Sequence, residues 1–245
     1  MPSDDARAHP VSPELRRRFE RAEKIRIGET ALRRPALRPT ESALRRHFES
    51  EIGRTARPLE NPHVEPRVAP EARGRATPAS VLLAIVLRET GPTLIVTRRP
   101  AGISYPGHWV FPGGRADAED ATPLDTALRE AEEEIGLDPG RVEVLGHLGE
   151  YVSHSGFRIT PTVALLRPPL RLDPHPAEVE VVAEVPLAHV LDSRRYFLYR
   201  FRERPDRAHF AFDPGLADVM LTGVTVSLCI GLYGELLRSD VCPRL

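Results

Sequence analysis

The most constraining feature of this sequence is a helix whose beginning and end are both marked by its residues. Thr122 is a good N-cap, Pro123 suits the first helical position, and Gly136 is typical of a helix end. These signals predict a helix over 123–135, a few residues after the pair Gly113-Gly114. It is one of the two main helices that the sequence predicts.

Runs of β-branched and apolar residues on both sides of this helix predict strands. The continuous run SVLLAIVL is typical of a buried strand, and TLIVTRR is its returning partner across the turn RETGP. Strand-rich segments with two main helices predict an α/β (α+β) fold in which a mixed sheet is covered on both faces. Beyond that first pair and the capped helix, we expect strands at 142–149, 159–166 and 179–185, a short helix at 186–192, a hairpin near 195–212 and a long helix at 215–238.

Residues 1–78 differ in composition from the rest, because they contain 10 of the 25 prolines. Residues 1–75 also carry 17 Arg or Lys against 12 Asp or Glu, so a basic, Pro/Arg-rich arm precedes an acidic domain over 79–240. Two helix-like pieces, 13–27 and 40–52, lie within this arm, and a Pro-rich linker over 54–78 follows them.

The second helix-like piece has the clearer pattern. Thr40 is a plausible N-cap, and Leu44, Phe48 and Ile52 recur at helical spacing to form a narrow apolar stripe. Two alternatives stay open for the arm. It is partly disordered, or one of its helices docks on the domain or on a second subunit.

Composition excludes several classes of protein. The two scattered cysteines, Cys229 and Cys242, form neither a disulfide framework nor a zinc site, so we expect a cytoplasmic protein. The N-terminus has no apolar segment typical of a signal peptide. The apolar segment 219–237 is interrupted by Thr, Ser and Gly, which predicts a core helix and no membrane partner.

The predicted helix over 123–135 carries a dense group of carboxylates. Glu130, Glu133 and Glu134 stand at i, i+3 and i+4, so they share one face. Like charges this close repel unless a cation lies among them, and oxygen ligands of this kind suit Mg²⁺. Arg129, four residues before Glu133, can pair with that carboxylate. The alternative is a solvated acidic helix face balanced by salt bridges.

The pair Gly113-Gly114 ahead of the helix allows a tight turn with exposed backbone. Such a turn can bring a carbonyl to a metal ion and lets a phosphate group approach closely. The Gly pair, the capped helix and Arg129 therefore favour a metal and phosphate site over an isolated acidic surface.

The segment REAEEEIGL resembles the end of the Nudix box, with the matching positions Arg129, Glu130, Ala131, Glu133, Glu134, Gly136 and Leu137. The resemblance extends from about residue 80 to 238. It implies a Nudix-type α/β/α sandwich and a metal-dependent pyrophosphatase that cleaves a nucleoside diphosphate linked to another group.

Within the Nudix hydrolases, the sequence resembles the coenzyme A pyrophosphatase branch. That branch typically has FPGGxxDxxDxSxxxTALREAxEE, and here Phe111 begins FPGG, Asp117 and Asp120 are present, and Thr126 begins TALRE. The usual box has Glu where Asp120 stands. Other departures are Ile103 at a usual Arg, His108 at a usual Gln, and Val219-Met220-Leu221-Thr222-Gly223 in place of a WGxTA-like run.

The resemblance implies a set of site residues. Glu130, Glu133, Glu134 and the Gly113 carbonyl would hold Mg²⁺ or Mn²⁺, Arg129 would orient Glu133, and Glu178 or a helix Glu would act as general base. Glu178 could equally be a surface charge at a strand start. We expect substrate contacts from Arg98, Gly114, His108 and Arg158, with a surface role as the alternative for Arg158; Tyr105, His108 and Trp109 either stack on the substrate or pack the loop.

We expect a small nucleotide-type substrate, most readily coenzyme A or its thioesters, which would give 3′,5′-ADP and 4′-phosphopantetheine. NADH, ADP-ribose or another nucleotide is the alternative substrate. A non-catalytic ligand sensor or regulator is a lesser alternative, but the acidic box is intact. The arm lacks a winged-helix pattern or interleaved aromatics, so we do not expect a nucleic-acid partner. The sequence leaves monomer and homodimer open.

Overall fold

The computed structural model of the protein describes residues 17, 21–27, 34–50, 59, 71, 74–202, 204–216 and 219–238. Within them, four α-helices and twelve strands form one sheet-based architecture. The helices are α1 Glu41–Ser50, α2 Pro123–Ile135, α3 Leu187–Val190 and α4 Gly223–Leu237. The strands are β1 Glu23–Arg26, β2 Thr77–Val86, β3 Thr93–Arg98, β4 Trp109–Val110, β5 Gly113–Arg115, β6 Val142–His147, β7 Tyr151–Val152, β8 Phe157–Leu166, β9 Val181–Pro186, β10 Tyr196–Phe201, β11 Arg204–Phe212 and β12 Leu221–Thr222.

Strand β2 lies at the centre of a mixed sheet. It pairs in parallel with β8 over its whole length, from Thr77 opposite Phe157 to Val86 opposite Leu166. Its other edge is shared, since β5 pairs antiparallel with its first half and β3 with its last two residues. This division places the Gly113-Gly114 turn beside the middle of the sheet.

The sheet is covered by helices on both faces, as the sequence predicts. Alternate residues of β2 point to opposite sides: Leu82 packs with α2, whereas Leu83 packs in the cluster that includes α1 and α4. The larger cluster also contains Trp109. The predicted α/β/α arrangement around a mixed sheet is therefore confirmed.

The described part of the N-terminal arm packs on this domain. Thr40 Oγ1 accepts a hydrogen bond from the Ala43 N–H at 3.2 Å, which caps α1, and Leu44 and Phe48 are buried in the larger core cluster. Helix α1 is therefore docked on the sheet. Most of the predicted linker 54–78 lies outside the described residues, and its last two residues belong to β2.

Two helix predictions need correction. Residues 23–26 of the predicted helix 13–27 instead form β1, which pairs antiparallel with β10. Arg17 is helical as predicted, and the rest of 13–20 lies outside the described residues. The helix predicted from 215 begins only at Gly223, because Leu221 first extends the sheet beside Trp109. In both cases hydrogen bonding to a distant strand prevails over local helical preference. No helix in the described residues has both the length and the apolar character needed to cross a lipid bilayer.

Candidate active site

Helix α2 positions the carboxylates, and its ends are fixed by the residues that predict them. Thr122 Oγ1 accepts from the Asp125 N–H while the Asp125 carboxylate accepts from the Thr122 N–H, which completes a capping box. Gly136 adopts a left-handed conformation with φ 64° and ends the helix. The helix is therefore a rigid support for the side chains on it.

The Gly113-Gly114 turn lies against the acidic face of α2. The Gly113 N–H donates to Glu134 Oε2 at 3.2 Å. Gly113 has φ 147°, and a Cβ there would lie 2.3 Å from the Ser80 carbonyl oxygen, so only glycine fits. A Cβ on Gly114 would lie 2.5 Å from the Glu130 carboxylate. The lack of a Cβ thus lets Gly113 pack against β2 and lets Gly114 approach the Glu130 carboxylate.

The three helix carboxylates lie in different environments. Glu134 is 5% exposed, and the side chains of Glu130 and Glu133 are 15% and 55% exposed. Burial raises the pKa of Glu134 to about 8, and the charges of Glu130 and Glu178 raise this pKa as well. Burial also raises the pKa of Glu130, and the charges of Glu133 and Glu178 act in the same direction. The acidic groups therefore oppose one another's ionisation.

Glu178 is thus brought to the site from a segment more than 40 residues beyond the helix. Its side chain is exposed, and its negative charge acts on both Glu130 and Glu134. An exposed carboxylate beside two partly desolvated ones can accept a proton from water held between them and a substrate.

Arg129 is the cation that holds this acidic face together. Its guanidinium donates to both carboxylate oxygens of Asp120 at 3.0 and 3.1 Å, and to Glu133 Oε2 at 2.9 Å. It also contacts Glu130 Oε1 at 3.1 Å. The Arg129 guanidinium keeps the pKa of Asp120 well below its usual range. Asp120 in turn accepts a hydrogen bond from the Asp117 N–H and thereby closes the loop before α2.

The donor chemistry fits a hard divalent cation, because the site offers carboxylate oxygens whose charges are incompletely balanced. In the arrangement described, no three His, Cys, Asp or Glu side chains among the described residues form a ready-made metal cage. Arg129 engages both Glu130 and Glu133. Any metal ion would therefore share these two carboxylates with Arg129 or displace it from them.

The predicted substrate contacts lie in different environments. Gly114 and His108 are partly exposed, and Thr222 Oγ1 lies 3.5 Å from His108 Nδ1. Arg158 lies 3.6 Å from Glu150 on a partly exposed edge. Arg98 is buried, with its guanidinium over the Trp109 ring and its Nη2 3.0 Å from Glu180 Oε1.

Arg99 is a residue of this region that the sequence analysis missed. Its positive charge lowers the pKa of Glu134, and it adds to the effect of burial in lowering the pKa of His108. Strand alternation could have found it: Arg99 lies four residues after Ile95, so an extended chain places both side chains on the same face of the sheet. Ile95 packs with α2 on that face. Tyr105 lies in the same loop, is 62% exposed, and meets His108 edge-on at 5.7 Å between ring centroids.

The NUDIX domain family matches residues 76–208, which is more than half of the chain and includes α2, the glycine turn and Glu178. The chain belongs to the Nudix family.

Two Nudix relatives are similar to this chain over its middle part. A protein described as uncharacterized Nudix hydrolase NudL from Photorhabdus laumondii is 46% identical over 119 residues, 48% of this chain and 63% of the relative. The protein of the same description from Pectobacterium atrosepticum is 37% identical over 151 residues, 61% of this chain and 78% of the relative. The chain thus spans less than two thirds of the length of the Photorhabdus relative.

Among solved structures, the Nudix hydrolase RenU from M. smegmatis is similar with 24% identity and a TM-score of 0.41. The similarity covers 47% of this chain and 73% of RenU.

Proposed function

We propose that the chain is a metal-dependent hydrolase of a pyrophosphate bond in a nucleoside diphosphate linked to another group. The observation that carries this proposal is the convergence of Glu178 with Glu130 and Glu134 next to the Gly113-Gly114 turn. Repelling carboxylates beside exposed backbone suit a metal ion that also binds phosphate oxygens.

In this proposal Glu130, Glu133, Glu134 and the Gly113 carbonyl hold Mg²⁺ or Mn²⁺. A bound divalent ion neutralises the anionic pyrophosphate and lowers the pKa of bound water. The proposed metal ligands are oxygen donors throughout, which is the chemistry that Mg²⁺ prefers.

Side chains of the protein would supply proton transfer, orientation of a metal ligand and contacts to the substrate. A Glu178 carboxylate oxygen takes the proton from the attacking water, and Arg129 orients Glu133 through the 2.9 Å hydrogen bond. The positive charge of Arg99 acts on Glu134, and in this proposal it attracts a substrate phosphate. His108 and the exposed Tyr105 ring offer a polar and an aromatic surface to the rest of the nucleotide.

Coenzyme A or one of its thioesters is the substrate that we propose. This choice rests on the similarity of residues 111–130 to the coenzyme A pyrophosphatase branch. Ile103 and His108 depart from that branch. Arg99 supplies a cation in the same loop region that could take the place of the arginine absent at position 103.

The test is incubation of the purified protein with Mg²⁺, then Mn²⁺, and a panel of anhydrides, with products identified by mass spectrometry. The panel contains coenzyme A, acetyl-coenzyme A, NADH, ADP-ribose, diadenosine polyphosphates and nucleoside triphosphates. Glu134→Gln should abolish turnover, and the exposed Glu132→Gln on the same helix is the matched control for charge.

Release of 4′-phosphopantetheine and 3′,5′-ADP would support the coenzyme A proposal. Cleavage of another panel member alone would reassign the substrate and keep the metal site. Full turnover by Glu134→Gln would overturn the metal assignment, and an inactive wild type that binds a panel member would favour a non-catalytic sensor.

Three further expectations stay predictions: a cytoplasmic location, a boundary between arm and catalytic domain near residue 78, and the absence of a nucleic-acid partner. A homodimer likewise remains one of two open states, which sedimentation equilibrium would separate.

A further inference from the structure

The segment Asp173–Glu180, hereafter the Glu178 segment, is tied to the end of helix α2. The Asp173 N–H donates to the Ile135 carbonyl at 2.8 Å, and the His175 N–H donates to the Glu134 carbonyl at 2.9 Å. A Cβ on Gly136 would lie 3.0 Å from the Asp173 backbone nitrogen. The first half of the segment is therefore fixed relative to the acidic helix.

The middle of the segment is a hydrogen-bonded turn around Glu178 itself. The N–H groups of Glu178 and Val179 both donate to the His175 carbonyl, at 3.0 and 2.9 Å. The Val179 side chain is buried in the core cluster that α2 forms with the sheet. The turn is thus anchored on one side, while the Glu178 carboxylate stays exposed.

The far end of the segment is held by Arg98, the last residue of β3. The Glu180 N–H donates to the Arg98 carbonyl at 2.8 Å, and Arg98 Nη2 lies 3.0 Å from Glu180 Oε1. This second contact is an ion pair without hydrogen-bond geometry, since Nη2 and Nε of Arg98 have no hydrogen-bond partner among the described residues. Arg98 is 2% exposed, and its guanidinium lies 5.7 Å from the centroid of the Trp109 ring. Arg98 is buried and Glu180 is partly exposed, so displacing Glu180 would leave the buried Arg98 charge without this counter-charge. This cost favours conformations that keep Glu180 in place.

We propose that Arg98 is a positioning residue that fixes Glu178 through Glu180, and that it does not contact the substrate. The inference rests on the proposed function, in which the Glu178 carboxylate takes a proton. Only Val179 separates Glu178 from Glu180, so a shift at Glu180 moves the Glu178 carboxylate relative to Glu130 and Glu134. Misplacement by about 1 Å can reduce turnover by about 100-fold.

Kinetics separate positioning from substrate binding. In Arg98→Gln and in Glu180→Gln, kcat should fall by roughly 10- to 100-fold while KM changes by less than about twofold, because ground-state binding is preserved. Arg98→Lys keeps the charge and should restore part of the lost kcat. Glu180→Gln breaks the pair from its partly exposed end, so the inference stays testable if Arg98→Gln fails to fold.

The matched control is Glu184→Gln. Glu184 lies on β9, the strand that begins directly after Glu180, and forms an ion pair with the more exposed Arg88. Its loss should leave kcat and KM within about twofold of the wild type. Combining Arg98→Gln with Glu178→Gln gives the decisive cycle: residues that act as a unit are non-additive, so Arg98→Gln should cost nothing further in that background.

Amide hydrogen exchange provides a readout that needs no substrate. Arg98→Gln and Glu180→Gln should accelerate exchange at the Glu178, Val179 and Glu180 amides at least tenfold, whereas α2 should stay protected. Unchanged exchange in this segment would overturn the inference even if the wild type hydrolyses no panel member. A raised KM with unchanged kcat, or a full additive loss in the Glu178→Gln background, would overturn it equally.

Discussion

The buried carboxyl of Glu134 should make the metal-free fold less stable as pH rises. Burial raises its pKa from 4.5 to about 8. Below pH 4.5 the group is protonated in both folded and unfolded chains and contributes nothing. Between 4.5 and 8 the unfolded chain gives up the proton more readily than the folded one, so the free energy of unfolding falls.

The size of this effect follows from the shift. One pKa unit corresponds to about 1.4 kcal/mol, so a carboxyl raised from 4.5 to about 8 destabilises the fold by up to about 5 kcal/mol at pH 9 and about 3 kcal/mol at pH 7. Glutamine keeps an acceptor for the Gly113 N–H but has no charge. We therefore expect Glu134→Gln to raise the free energy of unfolding by about 2–5 kcal/mol at pH 9.

Urea denaturation in the presence of a chelator, at pH 5 and at pH 9, measures this difference. Glu132→Gln removes the same charge from an exposed position of α2 and should change stability by less than about 0.5 kcal/mol. Added Mg²⁺ should stabilise the wild type at pH 8 more than Glu134→Gln, because the ion binds the folded state. A Glu134→Gln variant no more stable than the wild type at pH 9 would refute the reasoning.

Three further substitutions test other parts of the site and fold. Gly114→Ala should lower Mg²⁺ affinity at least tenfold by calorimetry, with under about 1 kcal/mol of destabilisation, because the atoms nearest to its Cβ belong to the flexible Glu130 carboxylate. Gly102→Ala, whose Cβ would lie in open space, is the control. Asp120→Asn should lower the free energy of unfolding by about 1–3 kcal/mol at pH 7, because the Arg129 guanidinium loses its charged partner. Because the Asp120 carboxyl has a lowered pKa in the folded state, the difference in unfolding free energy between wild type and Asp120→Asn should become smaller as pH falls below about 3.8. Denaturation curves at several pH values measure this difference. Phe48→Ala should cost about 3–5 kcal/mol in the same assay, and an unchanged midpoint would show that α1 does not belong to the core.

Local signals were sufficient for helix α2 and the central strands. Thr122, Pro123 and Gly136 carry the capping chemistry themselves, so the predicted bounds 123–135 agree with those observed. The apolar run SVLLAIVL at the start of the domain likewise predicts β2 from its own residues. Hydrogen bonds within the helix or buried side chains determine these elements, and neither requires knowledge of distant partners.

The elements that sequence analysis missed depend on partners far along the chain. Strand β1 is four residues long and pairs with β10, more than 170 residues later. Strand β12 takes Leu221 into the sheet beside Trp109, and this pairing shortens the predicted last helix. Strands this short have little intrinsic preference, so their formation depends on the neighbours that supply the hydrogen bonds.

The site shows the same division between local and long-range information. Spacing alone places Glu130, Glu133 and Glu134 on one face, and Arg129 contacts Glu133 as the sequence suggests. Its contact with Glu130 was not predicted. Arg98 and Arg99 are adjacent, so their side chains point to opposite faces of the sheet. Only the packing of β3 on both of its faces determines which of the two lies on the side of the acidic helix.

A contribution to the stability of the fold does not explain why a glutamate occupies position 134. Its ionised form is opposed by burial and by the charges of Glu130 and Glu178, and one backbone N–H and the more distant Arg99 are the groups that favour it. An uncharged side chain of the same shape would fold better at neutral pH. Where a buried group works against folding, its presence is best explained by the ligand chemistry that it serves. The pH dependence of stability and the loss of activity in Glu134→Gln should therefore both arise from the buried Glu134 carboxylate.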